Sequence, residues 1–371
     1  VTELLLRGHS VTIYTVSYDL SEEQQYTWGN LRLFVGPARQ LGAARDFFRP
    51  EIGYLRRVIR ADHPDFIHAH WTYEFALGAL GSGLPTLVTI HDLPWNVLRY
   101  FRDRYRTARL LMAYAVAIRA TRYTAVSKDA ARHFARYMRP GTKVRAIPNF
   151  LTQNVLSKGS EPKKHPRRPL VFAVVLQGWT PRKNAKVALK AHAIVRRAYP
   201  SICLHVIGAD YEVGGPASNW VAEHHLGEGV HFLGLLQYEN MLNHLSKKVD
   251  VLVMPSLDEA LSMTVLENMA LANPIIAGAS TPGIREELAG GEAGILVDVR
   301  SPDAVARAMI RLQNDPAHYE RVSRSAYERA HTTYTAESVL PLYEQAYASL
   351  LEETKSEQTK SSETPTVGEL P

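Results

Sequence analysis

Glu259 and Glu267 stand with seven residues between them in the stretch VLVMPSLDEALSMTVLENMALANP, which starts at Val251. Val251 to Met254 is an apolar run of strand type, closed by Pro255 and Ser256. Ser256 to Leu261 reads as a loop. From Ser262 the residues favour a helix, which Asn273-Pro274 stops, and Ile275 to Ala277 is the next buried strand. A helix that starts beyond the carboxyl edge of a parallel sheet offers free N–H groups and a positive dipole end to an anion such as phosphate. Ser262 is an N-cap type, and the amides of Ser262, Met263, Thr264 and Val265 are the candidate donors. A carboxylate beside an anion site is costly unless it has another task. Accepting hydrogen bonds from sugar hydroxyls is such a task. Acids near a helix start are also common as ordinary solvated groups, which the dipole favours.

Further polar residues fall at strand ends, where ligands sit in open parallel sheets. The segment VVLQGWTPRKN, Val174 to Asn184, carries Arg182 and Lys183 just beyond a strand. Two such cations can neutralise charge that builds on a phosphate leaving group. Phe66 to His68 ends in His68-Ala69-His70-Trp71, and Thr86 to Ile90 ends in His91-Asp92. Ser127-Lys128 and Pro148-Asn149 follow two more strands. His68 and His70 could lie on one face as metal ligands, but no third ligand is visible in sequence. Orienting the backbone or touching an acceptor is the alternative for either. No paired Asp of the D-x-D type follows an apolar strand.

The elements that must carry these groups alternate strand with helix, which calls for parallel sheets covered on both faces. In the first half the strands expected are Val11 to Val16, Leu31 to Val35, Phe66 to His68, Thr86 to Ile90, Tyr123 to Val126 and Val144 to Ile147. In the second they are Val171 to Leu176, Leu204 to Ile207, Val230 to Leu233, Val251 to Met254, Ile275 to Ala277 and Gly294 to Val297. The fold class is therefore α/β, with two Rossmann-like domains facing across a cleft. Residues 1–152 form the first domain and residues 153–169, polar, basic and proline-rich, a linker. Residues 170–350 form the second domain with its C-terminal helices. Residues 351–371 are poor in apolar side chains and are expected to be disordered. The chain opens on Val1 with LLLRGHSVTIYTV, a helix end, a turn and a strand, so a first strand and loop are expected to be missing.

Composition sets outer bounds. The 371 residues are 46% hydrophobic with a formal charge of +6, a mildly basic balance that permits contact with anionic lipid or phosphate. The one cysteine excludes an internal disulfide frame and fits a reducing compartment. Arg99, Arg102, Arg106 and Arg109 fall at helical spacing among Tyr and Phe. That is either a basic face for an anionic membrane or a solvated, salt-bridged helix.

The paired Glu with Asn268-Met269-Ala270, the turn at Pro274, TPGIRE from Thr281 to Glu286 and GEAGILVD from Gly291 to Asp298 resemble the donor site of the family-4 retaining glycosyltransferases of GT-B fold. The resemblance implies that Glu259 meets the donor sugar and Glu267 the nucleotide ribose. It implies that His91 sits beside the donor sugar and that Lys183 grips the donor diphosphate. At the position of the family's arginine stands Gly178, so either Arg182 substitutes or Gly178-Trp179 marks a subfamily with a different phosphate grip. HVIGADY with Gly208 and HFLGLL with Leu233 resemble the loops that hold the base. Gly283 belongs to the loop that approaches sugar or phosphate. AVSKDAARHF and AIPNF resemble further family segments, but Phe150 and Thr152 replace the usual Gly and Asp, so Asn149 is read as structural.

The expected reaction is transfer of a hexosyl group from a nucleotide-diphosphate sugar to an acceptor hydroxyl, with retention, without metal or other cofactor. The acceptor expected is a glycan or lipid-linked molecule in polysaccharide or glycolipid synthesis, reached through His68 and His70. The enzyme is expected in the cytoplasm, with peripheral membrane contact as an option and no nucleic-acid partner. Two rivals are a sugar-nucleotide epimerase of the same fold and a non-catalytic nucleotide-binding partner. Gly178 keeps the second open.

Overall fold

The computed structural model describes residues 1–159 and 168–362. Residues 160–167 of the expected linker, and the tail beyond 362, lie outside the described residues. The chain divides into two compact units. The first comprises residues 1–126, 130–147 and the chain from Leu340 onward, and the second comprises residues 127–129 and 148–339.

The first unit has two sheets. β1 (Val11–Ser17) pairs in parallel with β3 (Leu31–Pro37), and β2 (Gln24–Trp28) pairs with β3 antiparallel. β2 adds a strand to those expected from sequence. The Gly29-Asn30 turn between two alternating strands is the hairpin signal that marks it. β4 (Ile67–His70), β5 (Thr86–Ile90), β6 (Arg122–Ala125) and β7 (Arg145–Ala146) form a parallel sheet in that order. β5 is buried along its whole length, its two threonine hydroxyls being hydrogen-bonded within the fold.

The four spaced arginines do not make one basic face. Helices Pro94–Tyr100 and Arg104–Arg119 are separate, because Asp103 caps the second by accepting the Arg106 N–H at 2.8 Å. Arg106 also pairs with the Asp103 carboxylate at 2.8 Å. Arg109 lies over the Tyr73 ring, 3.7 Å from its centroid, and 3.5 Å from Glu74. Arg109 is thus held inside the fold, whereas Arg106 makes a salt bridge at the surface. Among the described residues no helix is long and apolar enough to cross a membrane.

The second unit is one parallel sheet of six strands. They are β8 (Val171–Val175), β9 (Cys203–Ile207), β10 (Val230–Gly234), β11 (Val251–Met254), β12 (Ile275–Gly278) and β13 (Ile295–Val297). Their spatial order is β10-β9-β8-β11-β12-β13. The order reverses between β8 and β11, and such a switch point opens a crevice beyond the carboxyl ends of the two strands. Every residue of β11 and β12 is buried. Phe172, Leu204, Leu252 and Ile276 lie at the centre of the core.

Both ends of the expected domain plan change. Gln153–Lys158, taken as linker, is a helix with Val155 and Leu156 buried. The Ala336–Ser362 helix runs on through twelve residues, 351–362, that were expected to be disordered. From Leu340 this helix belongs to the first unit, where Tyr347 donates or accepts at 2.8 Å with His68 Nδ1 and the Tyr343 hydroxyl donates to the Ile147 carbonyl.

Candidate active site

A recess of about 230 Å³ opens at the switch point of the second unit. Leu176, Gln177 and Lys183 reach it from the β8 loop, Gly208 from the β9 loop, Leu235 and Leu236 from the β10 loop. Glu259, Ser262 and Thr264 come from the β11 loop and the helix after it. Lys183 Nζ donates to Glu259 Oε1 at 2.5 Å, with only 13% and 12% of the two side chains exposed. Asn184 fixes the loop that carries Lys183, since its Nδ2 donates to the carbonyls of Pro255 at 3.0 Å and Val299 at 2.7 Å. The β8, β11 and β13 loops are therefore bolted together next to the cation.

The helix Met263–Ala270 starts at Ser262, whose hydroxyl accepts the Val265 N–H at 3.4 Å. The Ser262 N–H is itself spent on Glu287 Oε1 at 2.5 Å. Of the four amides expected to face an anion, Ser262 and Val265 are thus already bonded. Among the described residues the Met263 and Thr264 amides of the first turn have no acceptor and are left as donors.

Glu267 is 4% exposed, and the Tyr238 hydroxyl donates to its Oε1 at 2.7 Å. Burial pushes Glu267 above the usual carboxylate range, and the Tyr238 bond opposes that shift. Tyr238 was not among the residues singled out from sequence. It lies just beyond HFLGLL, and nothing in its own neighbourhood marks it.

Three expected donor residues sit otherwise than foreseen. Arg182 Nη1 donates to the Asp258 carbonyl at 3.1 Å and lies 3.9 Å from the Asp258 carboxylate. Arg182 does not line the recess, so it is no ready replacement for the missing arginine. Leu233 packs against the core from within β10, and Leu235 and Leu236 take the lining role. Val265 is fully buried. Gly178 has φ +83, a backbone state that a β-carbon disfavours, so the turn is built for glycine there and not for a long cation. The Trp179 N–H beside it donates to Asp210 at 2.9 Å. Gly208, at φ +133, passes so close to the Leu176 carbonyl that a β-carbon would overlap it.

In the first unit the three histidines come together. β4 continues to His70, so His68 and His70 lie within the strand, on one face, and not beyond its end. Their ring centroids are 4.2 Å apart. His68 Nε2 bonds Thr89 Oγ1 at 2.6 Å, and His70 Nδ1 bonds His91 Nε2 at 2.8 Å. Burial, with His70 beside it, pushes His91 down to about 3, and burial lowers His68 and His70 as well. Burial thus favours the neutral imidazole at all three. Among the described residues no group of three or more His, Cys, Asp or Glu side chains is arranged to hold a metal ion.

Comparison with known proteins gives this geometry a family. The model described as Glycosyltransferase Family 4 matches residues 1–152, and that described as Glycosyl transferases group 1 matches residues 160–329. D-inositol 3-phosphate glycosyltransferase of Thermomonospora curvata is 25% identical over 311 residues, covering 76% of this chain and 71% of the relative. N-acetyl-alpha-D-glucosaminyl L-malate synthase of Bacillus anthracis is 23% identical over 318 residues, covering 81% and 79%. Sucrose-phosphate synthase from Thermosynechococcus elongatus superposes with a TM-score of 0.76 at 18% identity, covering 94% of this chain and 91% of that one. Anabaena Alr3699/HepE, solved in complex with UDP-glucose, superposes with a TM-score of 0.67 at 15% identity, covering 91% and 99%. At those identities the solved structures speak for the fold, which is GT-B. With one family module matched over each part of its length, the chain belongs to the group 1, family 4 glycosyltransferases and is itself a glycosyltransferase.

Proposed function

We propose that this chain transfers a hexosyl group from a nucleotide-diphosphate sugar to a hydroxyl of a glycan or lipid-linked acceptor, with retention of configuration and without a metal ion. The observation that carries the reading is the Lys183–Glu259 pair in one recess with Thr264, in the first turn of the Met263–Ala270 helix, at the switch point of the sheet. Lys183 and the two amides suit the donor diphosphate. Glu259 suits the hydroxyls of the sugar attached to it, and Glu267 those of the ribose.

In the step proposed, the bond between the anomeric carbon and the diphosphate oxygen breaks as charge builds on that oxygen. The acceptor oxygen bonds to the same face of the sugar, and its proton passes to the leaving phosphate. Lys183 stabilises the charge, which is the largest electrostatic demand of the reaction. His91, held neutral and hydrogen-bonded to His70, suits a hydrogen bond to a sugar hydroxyl better than a role as a charge.

The test is release of nucleoside diphosphate from a panel of UDP-, GDP- and ADP-sugars in the presence of candidate acceptors, with Glu259→Ala as control. Release from one donor, lost in the control, is expected. Nucleotide binding without release from any donor would instead favour a non-catalytic partner. Epimerised free sugar nucleotide without acceptor would favour an epimerase.

The ribose assignment has its own check. Tyr238→Phe removes one hydrogen bond to a buried acid, a loss of about 1 kcal/mol. Nucleoside diphosphate should bind about fivefold more weakly to this variant by calorimetry. Unchanged affinity would remove Glu267 from the ribose site.

A further inference from the structure

Glu287 follows Glu286 in the turn after β12 and is 1% exposed. Its Oε1 accepts the Ser262 N–H, and its Oε2 is buried with no hydrogen-bond partner among the described residues. The charged groups that face it are Glu259 from the β11 loop, Glu286 beside it in the chain and Arg329 from the helix Pro316–Thr333. Arg329 is not spent on the carboxyl. Its Nε donates to the Glu287 backbone carbonyl at 2.7 Å, and its Nη2 donates to the Glu286 carbonyl at 2.8 Å and to the Tyr334 hydroxyl at 3.4 Å. Lys183 is spent on Glu259. A buried carboxyl with acids on two sides and one N–H donor is favoured in its neutral form. Burial pushes Glu287 up to about 8.

We propose that Glu287 is a positioning residue for the donor site, whose neutral carboxyl clamps the Ser262 N–H and keeps a buried negative charge away from the anion received by the Met263 and Thr264 amides. The inference rests on the donor reading above. The clamp fixes where the Met263–Ala270 helix begins, and so where its free amides point. Ionisation of Glu287 puts a charge behind the helix start that receives the diphosphate. Donor affinity is therefore full at pH values where Glu287 is neutral and falls as pH rises through about 8. The diphosphate of a sugar nucleotide is fully ionised throughout this range and adds no titration of its own.

Glu287→Gln keeps a carbonyl oxygen for the Ser262 N–H and cannot ionise. Glu287→Leu removes the acceptor and leaves that N–H buried without a partner. The full chain and both variants are titrated calorimetrically with UDP-glucose and with GDP-mannose at about pH 6.5 and about pH 8.8, after thermal unfolding has shown that each variant folds. The unaltered chain should lose about five- to tenfold in affinity between the two pH values, as expected for one added like charge near a bound anion. Glu287→Gln should bind like the unaltered chain at the lower pH and lose less than about twofold. Glu287→Leu should bind about tenfold more weakly at both. Equal pH dependence in the unaltered chain and Glu287→Gln overturns the proposal, as does full-strength binding by Glu287→Leu. Binding of neither probe by any of the three proteins overturns the donor reading itself, and this inference with it.

Discussion

Lys183→Ala should cut kcat/KM for the sugar donor by about 10²- to 10³-fold, because in the proposed reaction it removes the cation that meets charge developing on the leaving diphosphate. Stability should fall too. Lys183 and Glu259 are nearly buried and 2.5 Å apart, so deleting the ammonium leaves Glu259 poorly solvated and without its counter-charge. With about an eighth of each side chain still exposed, the loss should be about 1–3 kcal/mol, below that of a fully buried pair. The two effects can be separated. The double variant Lys183→Ala/Glu259→Gln removes the orphaned charge, so its melting temperature should recover most of the loss while turnover stays low. Denaturant unfolding beside donor turnover reads both. A Lys183→Ala chain that keeps turnover within about tenfold would show that another group neutralises the diphosphate. Recovery of turnover in the double variant would show that the pair matters for folding alone.

That pair was legible in sequence only as two separate residues, seventy-six apart in the chain. The strands that carry them were legible because both are unbroken apolar runs, and parallel strands must read that way. Position at a strand end then pointed to each residue. The contact itself depends on β8 and β11 being neighbours, which strand order decides and periodicity does not. Arg182 shows the same limit. Its type and position suited a phosphate, but the Asp258 carbonyl takes it.

The features that escaped the sequence reading share a cause. Glu287 lies in an acid pair at the start of a short helix, where acids are ordinary. Its burial, with Arg329 of the helix Pro316–Thr333 bonded to the backbone of its turn, is what makes it unusual. The helix Ala336–Ser362 has a polar second half and an internal Pro341, both of which argue against it locally. Its apolar face, with Val339, Leu340, Tyr343 and Leu350 buried, becomes meaningful only against surfaces distant in sequence. The strand β2 is the opposite case, since its local signal stands in the sequence at Gly29-Asn30.

Gly283→Ala should destabilise the second unit by about 3 kcal/mol and depress turnover beyond what the loss of folded protein explains. Gly283 has φ +77, where a β-carbon costs about 1–2 kcal/mol in backbone strain alone. The added carbon would also stand 2.3 Å from the Ala260 carbonyl oxygen and 2.9 Å from that of Glu259. Both are backbone atoms, so relief requires the loop that holds Glu259 to move. Glu259 would then be carried off Lys183, and a misplacement of about 1 Å at a reacting centre can cost on the order of 10²-fold in rate. Gly290 supplies the control. Its φ is +69, but a β-carbon there meets nothing within 4 Å, so Gly290→Ala should show the backbone strain without the collision. Denaturant midpoints and donor turnover of the two variants, measured side by side, isolate the contact. If both lose the same stability and both keep their turnover per folded molecule, Gly283 does not hold the Glu259 loop in place. If only Gly283→Ala loses turnover, the close approach of the two loops is what sets the position of Glu259.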